Sequence, residues 1–189
     1  MLRRAIPLAI AALSCVGFIA VATPAHASTS GALSRCNSGG FSDAAASVTV
    51  PGTGAAFVGG GPNQDPSTPL RNQIRPGDVI RVFASGQVSY GGIFNWAGTW
   101  GPNGNGQLAP LDSSWPFPGG PQYALVGTFN QNGADVRLGS MSACLVVPFA
   151  GDGVSIPWGL WLQPNDCWSL DNSGAYFATV RVWMSSRSP

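Results

Sequence analysis

The chain has 189 residues, of which only 9% are charged, with a formal net charge of +1. So few and scattered charges cannot form the basic surface that nucleic acids need, so nucleic acid is excluded as a partner. Glycine (26) and proline (16) are abundant, and aromatic residues make up 10% of the chain. This composition, with no sustained helical periodicity outside the first residues, predicts an all-β domain rich in turns.

The N-terminus has the three parts of a secretory signal peptide. Arg3 and Arg4 are followed by an apolar run, 5–22, and by the small-residue site Ala25-His26-Ala27. This order predicts cleavage after Ala27 and a secreted, extracellular protein with no membrane span in the mature chain. That mature chain has no Lys, Glu or His, and its seven arginines face eight aspartates, a net charge of −1.

The mature sequence predicts a flexible lead (28–46), one β-sandwich domain (47–185) and a short tail (186–189). The domain contains runs of alternating or apolar residues between Gly, Pro and Asn turns. A Pro-Gly turn at 74–78 precedes the second run. The predicted strands are 47–50, 79–84 continued or restarted at 87–90, 123–129, 135–138, 144–149, 154–162 and 175–183. Strands at this spacing are typical of a sandwich or barrel.

The segment 91–121 is unusually long for a connection and contains Trp96, Trp100 and Trp115. Loops of this length in compact domains are often functional. The alternative is an Ω-loop that closes over its own aromatic side chains. The sequence leaves both open.

The mature chain has three cysteines, Cys36, Cys144 and Cys167, an odd number for an oxidising compartment. The simplest expectation is one disulfide and one free thiol. A bond between Cys144 and Cys167 would staple the loop described next, and Cys36 competes for either partner. The sequence does not decide the pairing.

The loop 165–174 places three side-chain oxygen donors, Asp166, Asp171 and Asn172, between two predicted strands. Calcium binds about 6–8 oxygens from carboxylates, amides, backbone carbonyls and water. The alternative is an Asx-turn, in which Asp171 and Asn172 only hydrogen-bond to their own backbone.

Four motifs in order resemble the galactose-binding lectin family of the PA-I type, also called LecA-like. The first is a Pro-Gly-Asp turn, an apolar strand, Ala-x-Gly and then Ser-Tyr-Gly. The motifs are 76–91, Trp-Gly-Pro-Asn-Gly at 100–104, Tyr-Ala-Leu-Val at 123–126, and Asn-Asp at 165–166 with Asp-Asn-Ser-Gly at 171–174. Together they extend over roughly 48–183.

This resemblance implies a small jelly-roll-like β-sandwich with one Ca²⁺ at its apex. Carried over by position, the ligands are the carbonyl of Tyr90, Asp166, the carbonyl of Trp168, Asp171 and Asn172. The loop between the two aspartates is two residues shorter than in the best-known member. Asp171 stands where that member has Asn, and its extra charge favours Ca²⁺.

The resemblance also implies that two adjacent sugar hydroxyls complete the calcium shell. Asp166, Asp171 and Asn172 would accept hydrogen bonds from those hydroxyls. Independently of the resemblance, Trp168 inside this loop is a candidate for stacking on the apolar face of a sugar, and the alternative is that it packs in the core as most tryptophans do. Gln107 lies in the loop that holds the galactose 6-hydroxyl in that family. The His used there is missing, since the mature chain has none. A galactose-type glycan is the expected ligand.

Two other functions remain open at this point. A glycosidase needs two carboxylates about 5–10 Å apart, one of them protonated, but a metal would keep both aspartates ionised. No Gly-x-Ser-x-Gly motif is present, and no Ser-His triad is possible without His. The chain is therefore not expected to be an enzyme. The other alternative is a calcium-stabilised interaction module, and a homo-oligomer is possible.

Overall fold

The structure is a computed structural model, which describes residues 24–59, 70, 74–91, 98–129, 135–148 and 159–187. Its strands form two antiparallel sheets. The first sheet contains five strands: β1 Ala44–Pro51, β3 Val79–Tyr90, β4 Gly98–Trp100, β7 Leu145–Val146 and β9 Ser173–Trp183. Their order is β1-β9-β3-β4, with β7 also paired to β3. The second has the order β2-β8-β5-β6, with β2 Ala56–Val58, β5 Leu125–Phe129, β6 Asp135–Arg137 and β8 Leu160–Pro164.

The two sheets share one hydrophobic core, so the fold is the predicted all-β sandwich. Strand β9 shows why: Tyr176, Ala178, Val180 and Val182 are buried while their neighbours face outward, as the alternation of its sequence predicts. These four side chains belong to one buried cluster to which both sheets contribute. The cluster includes Val50 and Val82 of the first sheet and Val58, Leu125, Leu160 and Leu162 of the second.

Strand β3 is continuous from Val79 to Tyr90, so the predicted strand 79–84 continues through 87–90 and does not restart there. Its pairing with β9 continues from Val79 to Ser89. Gly86 lies within it at φ +89°, and a Cβ there would lie 2.5 Å from the carbonyl oxygen of Ala175. Only glycine satisfies both conditions, so it keeps the two long strands in register up to the end of the sandwich.

The predicted turn at 74–78 is present and fixes the start of β3. The N–H of Asp78 donates to the carbonyl of Arg75, and Gly77 has a positive φ of 84°. The Asp78 carboxylate accepts hydrogen bonds from the N–H groups of Arg75 and Ser185, joining the turn to the chain after β9. Burial raises the pKa of this carboxyl.

The prediction of a flexible lead at 28–46 is wrong. Helix α1, Pro24–Asn37, covers much of it, and β1 begins at Ala44 rather than at 47. Two side chains of the helix, Ala32 and Cys36, are buried against Val79 and Trp183. The helix lacks an apolar stripe of helical period, so tertiary contacts rather than local pattern stabilise it.

One covalent bond and one salt bridge hold this helix to the sandwich. A disulfide joins Cys36 to Cys144, 108 residues apart, and Arg35 forms a 2.7 Å salt bridge with Asp43. Cys167 is free and exposed. The expected count of one disulfide and one thiol is confirmed, and the pairing that the sequence left open is settled.

Several strands are shorter than predicted. The predicted strand 123–129 starts at Leu125, because Tyr123 has a positive φ of 62° that is incompatible with a strand. The predicted strand 144–149 shrinks to Leu145–Val146. The predicted strand 154–162 becomes Leu160–Pro164, with 151–158 outside the described residues.

Some predictions fall on parts of the chain that the structure does not describe. These are the charged and apolar regions of the signal peptide (3–22), Trp96, and the end of the tail (188–189). Secretion and the cleavage after Ala27 therefore stay predictions. Among the helices that are described, none has the length and apolar character needed to cross a membrane.

Candidate metal site

The loop 165–172 connects β8 to β9 at one end of the sandwich. Strands β3 and β9 are antiparallel, and Ser89 pairs with Ser173. Tyr90 is the last residue of β3, and Asn172 directly precedes β9. The fold therefore brings Tyr90 to the same end of the sandwich as this loop, which follows it by more than 70 residues.

Asn172 is the best-defined side chain of the loop and is only 6% exposed. Its Nδ2 donates to the carbonyl of Gly52 (3.0 Å) and to Oδ2 of Asp166 (2.9 Å). Its Oδ1 is buried and has no hydrogen-bond partner. A buried acceptor left unsatisfied costs about 1–3 kcal/mol, so this oxygen needs a donor or a cation.

The amide does not form the simple Asx-turn that was the alternative. It reaches across the chain to Gly52, 120 residues earlier, instead of to its own backbone. Gly52 permits this close approach, because a Cβ there would lie 2.6 Å from Cγ1 of Val88 and 3.3 Å from Cβ of Asn172. No local feature of the sequence indicates this role of Gly52.

Asp166 lies next to Asn172 and also orders the loop. Its Oδ1 accepts the N–H of Trp168 (3.3 Å), while its Oδ2 accepts from the Asn172 amide. A short 3₁₀ turn, Ser169–Asp171, follows and leaves the Asp171 side chain exposed. This eight-residue loop thus contains two carboxylates and one amide oxygen.

Three tyrosines form a hydrogen-bonded floor beneath the loop. The hydroxyls of Tyr90 and Tyr176 lie 2.6 Å apart, and both are within hydrogen-bond distance of the carbonyl of Tyr123 (3.0 and 2.7 Å). The rings of Tyr90 and Tyr123 pack with centroids 4.2 Å apart. Sequence analysis named only the carbonyl of Tyr90, so it missed this arrangement.

These phenols are neutral over the ordinary pH range. Burial raises the pKa of Tyr90 and of Tyr123, and raises that of Tyr176 to about 12. The negative charge of Asp166 adds to the rise in all three.

Asn165 fastens the neighbouring loop, 107–121, to the candidate site. It is fully buried; its Oδ1 accepts the N–H of Phe117, and its Nδ2 donates to the carbonyls of Phe117 and Pro121 at 2.8–3.1 Å. Its backbone also pairs with Tyr123 and Ala124. The resemblance included Asn165 in a motif without giving it a role, and the structure shows a positioning one.

Hydrogen bonds at the two ends of the loop 107–121 join it to the residues just before and just after it. Gln107 is exposed; its backbone accepts from the N–H of Gln122 and donates to Oδ1 of Asn105. Within the described segments, no hydrogen bond joins the Gln107 side chain to the loop 165–172. The structure thus shows no hydrogen bond between Gln107 and the other predicted site residues among those it describes.

The tryptophans divide into packed and exposed ones. Trp115 is 9% exposed, with its ring 6.2 Å from that of Tyr123, and Trp100 packs on the main core. Trp168 is 64% exposed within the loop 165–172. Among the tryptophans that the structure describes near this loop, Trp168 has the surface available for a ligand.

The donor set is composed of hard oxygen ligands. Across the described ranges, no group of three or more His, Cys, Asp and Glu side chains could hold a metal ion. A metal here would depend on two carboxylates, the free Oδ1 of Asn172 and backbone carbonyls. Such a set suits Ca²⁺ and not the softer transition metals.

Comparison with known proteins gives little. No family model matches the chain, and no curated protein matches it. Among solved structures, a match is the N-terminal domain of EclA, described as a PllA-like lectin. The identity is 16% and the TM-score 0.43, over 72% of this chain and 94% of that one. The function is therefore inferred from the residues of this chain.

Proposed function

We propose that the mature chain is a secreted, calcium-dependent carbohydrate-binding protein with a galactose-type sugar as its ligand. The observation that carries the proposal is the buried, unpartnered Oδ1 of Asn172 next to the carboxylate of Asp166. An acceptor left in this state beside a second acceptor is stabilised by a cation that both oxygens contact. The motif resemblance to the LecA-like family supports the same conclusion.

The chain's own residues would hold the ion in the following way. Asn172 would contribute Oδ1, and Asp166 and Asp171 would contribute carboxylate oxygens. Backbone carbonyls of Tyr90 and Trp168 would complete the protein ligands. The two carboxylates match the charge of the divalent cation, which makes the association favourable. These five protein oxygens are fewer than the about 6–8 that Ca²⁺ takes, so positions remain for further oxygens.

Bound calcium would supply coordination positions for two adjacent sugar hydroxyls. The side chains of Asp166, Asp171 and Asn172 would accept hydrogen bonds from these hydroxyls, and such bonds to charged acceptors are the stronger kind. The exposed ring of Trp168 would pack on the apolar face of the sugar, and Gln107 would reach the 6-hydroxyl. Asn165 would keep the loop 107–121 at the edge of the sugar site.

The proposed role is binding and not catalysis. An ion shared by Asp166 and Asp171 keeps both carboxylates charged, whereas glycoside hydrolysis requires a protonated acid. The phenols of Tyr90 and Tyr176 are already hydrogen-bonded to each other, and the pKa of each is raised by burial. Nothing in this arrangement provides a proton at neutral pH.

A glycan array probed with the mature protein tests this function. We expect binding to galactose-terminated glycans in Ca²⁺ and none in EDTA. Asp171→Ala should weaken the signal strongly and the adjacent Ser173→Ala should keep it. A blank array would contradict the carbohydrate-binding function, and if Ca²⁺ still stabilised the protein, the chain would be an interaction module that depends on calcium for stability.

A further inference from the structure

A second surface of the molecule combines features that the proposed function does not use. It lies on the outward face of the first sheet, where side chains of β3 and β9 stand side by side. The register pairs Arg81 with Arg181, Phe83 with Thr179, and Ser85 with Phe177. Ser47 and Thr49 of β1 extend the last two rows. We call these eight residues the outer strip.

One end of the outer strip presents an aromatic ring. Phe177 is 58% exposed, which is unusual for a large apolar side chain in the middle of a strand. Its ring lies against the backbone of Gly86, where a Cβ would come within 3.0 Å of the ring's Cδ2. The missing side chain lets the ring lie close to the sheet, and more than half of the residue remains exposed to solvent.

Hydroxyl groups surround this ring. The ring and the side chains of Ser47, Thr49, Ser85 and Thr179 line a shallow groove of about 230 Å³. The hydroxyls of Ser47 and Thr179 lie 3.0 Å apart. An apolar surface bordered by several small donors and acceptors matches a sugar ring, which has an apolar face and a polar edge.

The other end of the outer strip has two positive charges and no negative one. The guanidinium carbons of Arg181 and Arg81 lie 4.9 and 5.3 Å from the centroid of the Phe83 ring. Arg81 is held in place because its Nε donates to the carbonyl of Ser142. In the described parts of the chain, no carboxylate forms a salt bridge with either arginine. Two unneutralised cations side by side favour an anionic partner.

We propose that the outer strip binds an acidic polysaccharide built from uronic acid residues. One sugar ring would pack on Phe177, with its hydroxyls bonded to the surrounding Ser and Thr side chains. A carboxylate further along the same glycan chain would pair with Arg181, with Arg81 beside it. The two ends are four residues apart on β9, about 13 Å at 3.3 Å per residue, so a chain of several sugars is needed.

Charge and polarity select this occupant. Arginine binds carboxylates in a bidentate manner, which a neutral glycan cannot offer. The hydroxyl-lined groove beside the ring favours a polar ligand over a purely apolar one. The outer strip begins on β9 at Phe177, whereas the candidate metal site ends at Asn172, before β9 begins, so the two sites are separate.

The test uses the full mature protein in EDTA, so that the candidate metal site cannot contribute. Affinity electrophoresis in gels that contain polygalacturonate, dextran or polyglutamate compares an acidic glycan, a neutral glycan and a non-sugar polyanion. We expect retardation by polygalacturonate that far exceeds that by the other two. Phe177→Ala should raise the apparent Kd about 3- to 10-fold, and Arg181→Gln about tenfold or more.

Matched controls lie elsewhere on the surface. Phe41→Ala removes a phenylalanine that is 99% exposed, and Arg137→Gln removes an exposed arginine of the other sheet. Both should leave binding unchanged, as should Asp171→Ala in the candidate metal site. Unchanged melting temperatures will show that the two outer-strip variants are folded.

Several results would overturn the proposal. They are no retardation by polygalacturonate, equal retardation by polyglutamate, or equal loss in the control variants. A dimer detected by light scattering and lost in Phe177→Ala would also overturn it, because the strip would then be an interface between copies of the chain. None of these outcomes affects the calcium-dependent function, which the EDTA condition excludes.

Discussion

The loop 165–172 has a buried asparagine at each end, and the two differ in a way that separates scaffold from site. The side chain of Asn165 uses both its oxygen and its nitrogen in three hydrogen bonds to the loop 107–121. Asn172 uses only its nitrogen, and its buried Oδ1 has no partner. Buried amides are normally satisfied, so the unpartnered oxygen of Asn172 is an acceptor that a ligand can use. We therefore assign Asn165 to structure and propose Asn172 for binding.

Asn165→Ala should have the largest effect on stability. It would leave the N–H and carbonyl of Phe117 and the carbonyl of Pro121 without their partner, at a cost of about 3 kcal/mol or more. Urea unfolding in Ca²⁺ and in EDTA should show the same loss in both. A loss below about 1 kcal/mol would mean that these groups find water, and that Asn165 is not the scaffold residue.

Tyr176 gives the next effect, which appears at alkaline pH. Its folded-state pKa of about 12 exceeds that of the unfolded chain, so its contribution is complete below about pH 10 and is lost as the pH rises to about 12. The free energy of unfolding should fall over this window by about 1.4 kcal/mol per pH unit for each such group.

Tyr176→Phe should make this fall in the free energy of unfolding shallower. The variant also loses the hydrogen bond from Tyr176 to the carbonyl of Tyr123, whose N–H donates to the carbonyl of Asn165. Unfolding measured between pH 8 and 12 in EDTA compares the two proteins. An identical slope for wild type and variant would show that Tyr176 is not the titrating group. The stabilisation by Ca²⁺ at neutral pH should be the same in both.

Asn172→Ala should cost only about 1 kcal/mol in EDTA, because the lost donors are offset by removal of an unsatisfied acceptor. The stabilisation by Ca²⁺ should disappear. Calorimetric titration of Ca²⁺ into Asn172→Ala and into Asn165→Ala compares the two asparagines directly. If Asn172→Ala still bound Ca²⁺ and Asn165→Ala did not, Asn165 and not Asn172 would be the binding residue.

Asp171→Ala should have the smallest effect on the fold, within about 0.5 kcal/mol in EDTA, because the side chain is exposed. It should raise the Kd for Ca²⁺ about tenfold or more, through the loss of a charged ligand. Ser173→Ala is the neighbouring control and should leave the Kd unchanged. An unchanged affinity in Asp171→Ala would reduce this residue to part of the turn.

The sequence was sufficient for the long strands and for the composition of the loop. The alternation of β9 predicts its buried face, and the Pro-Gly-Asp turn predicts the start of β3. These features are local, so a pattern along the chain reveals them. The same holds for the oxygen-rich content of the loop 165–172.

What could not be predicted depends on contacts between distant residues. The disulfide from Cys36 to Cys144 and the burial of Ala32 make a helix out of a segment that looks like a linker. The role of Gly52 depends on Val88 and Asn172, and no local signal marks it. The unpartnered Oδ1 of Asn172 is likewise visible only once the fold places its neighbours.

The most direct test of the calcium site is thermal melting of the wild-type mature protein and of Asn172→Ala, each in Ca²⁺ and in EDTA. We predict that Ca²⁺ raises the melting temperature of the wild type and does not change that of the variant. Equal melting temperatures of the wild type in Ca²⁺ and EDTA would contradict the calcium site. An equal rise in both proteins would contradict the assignment of Asn172 as its ligand.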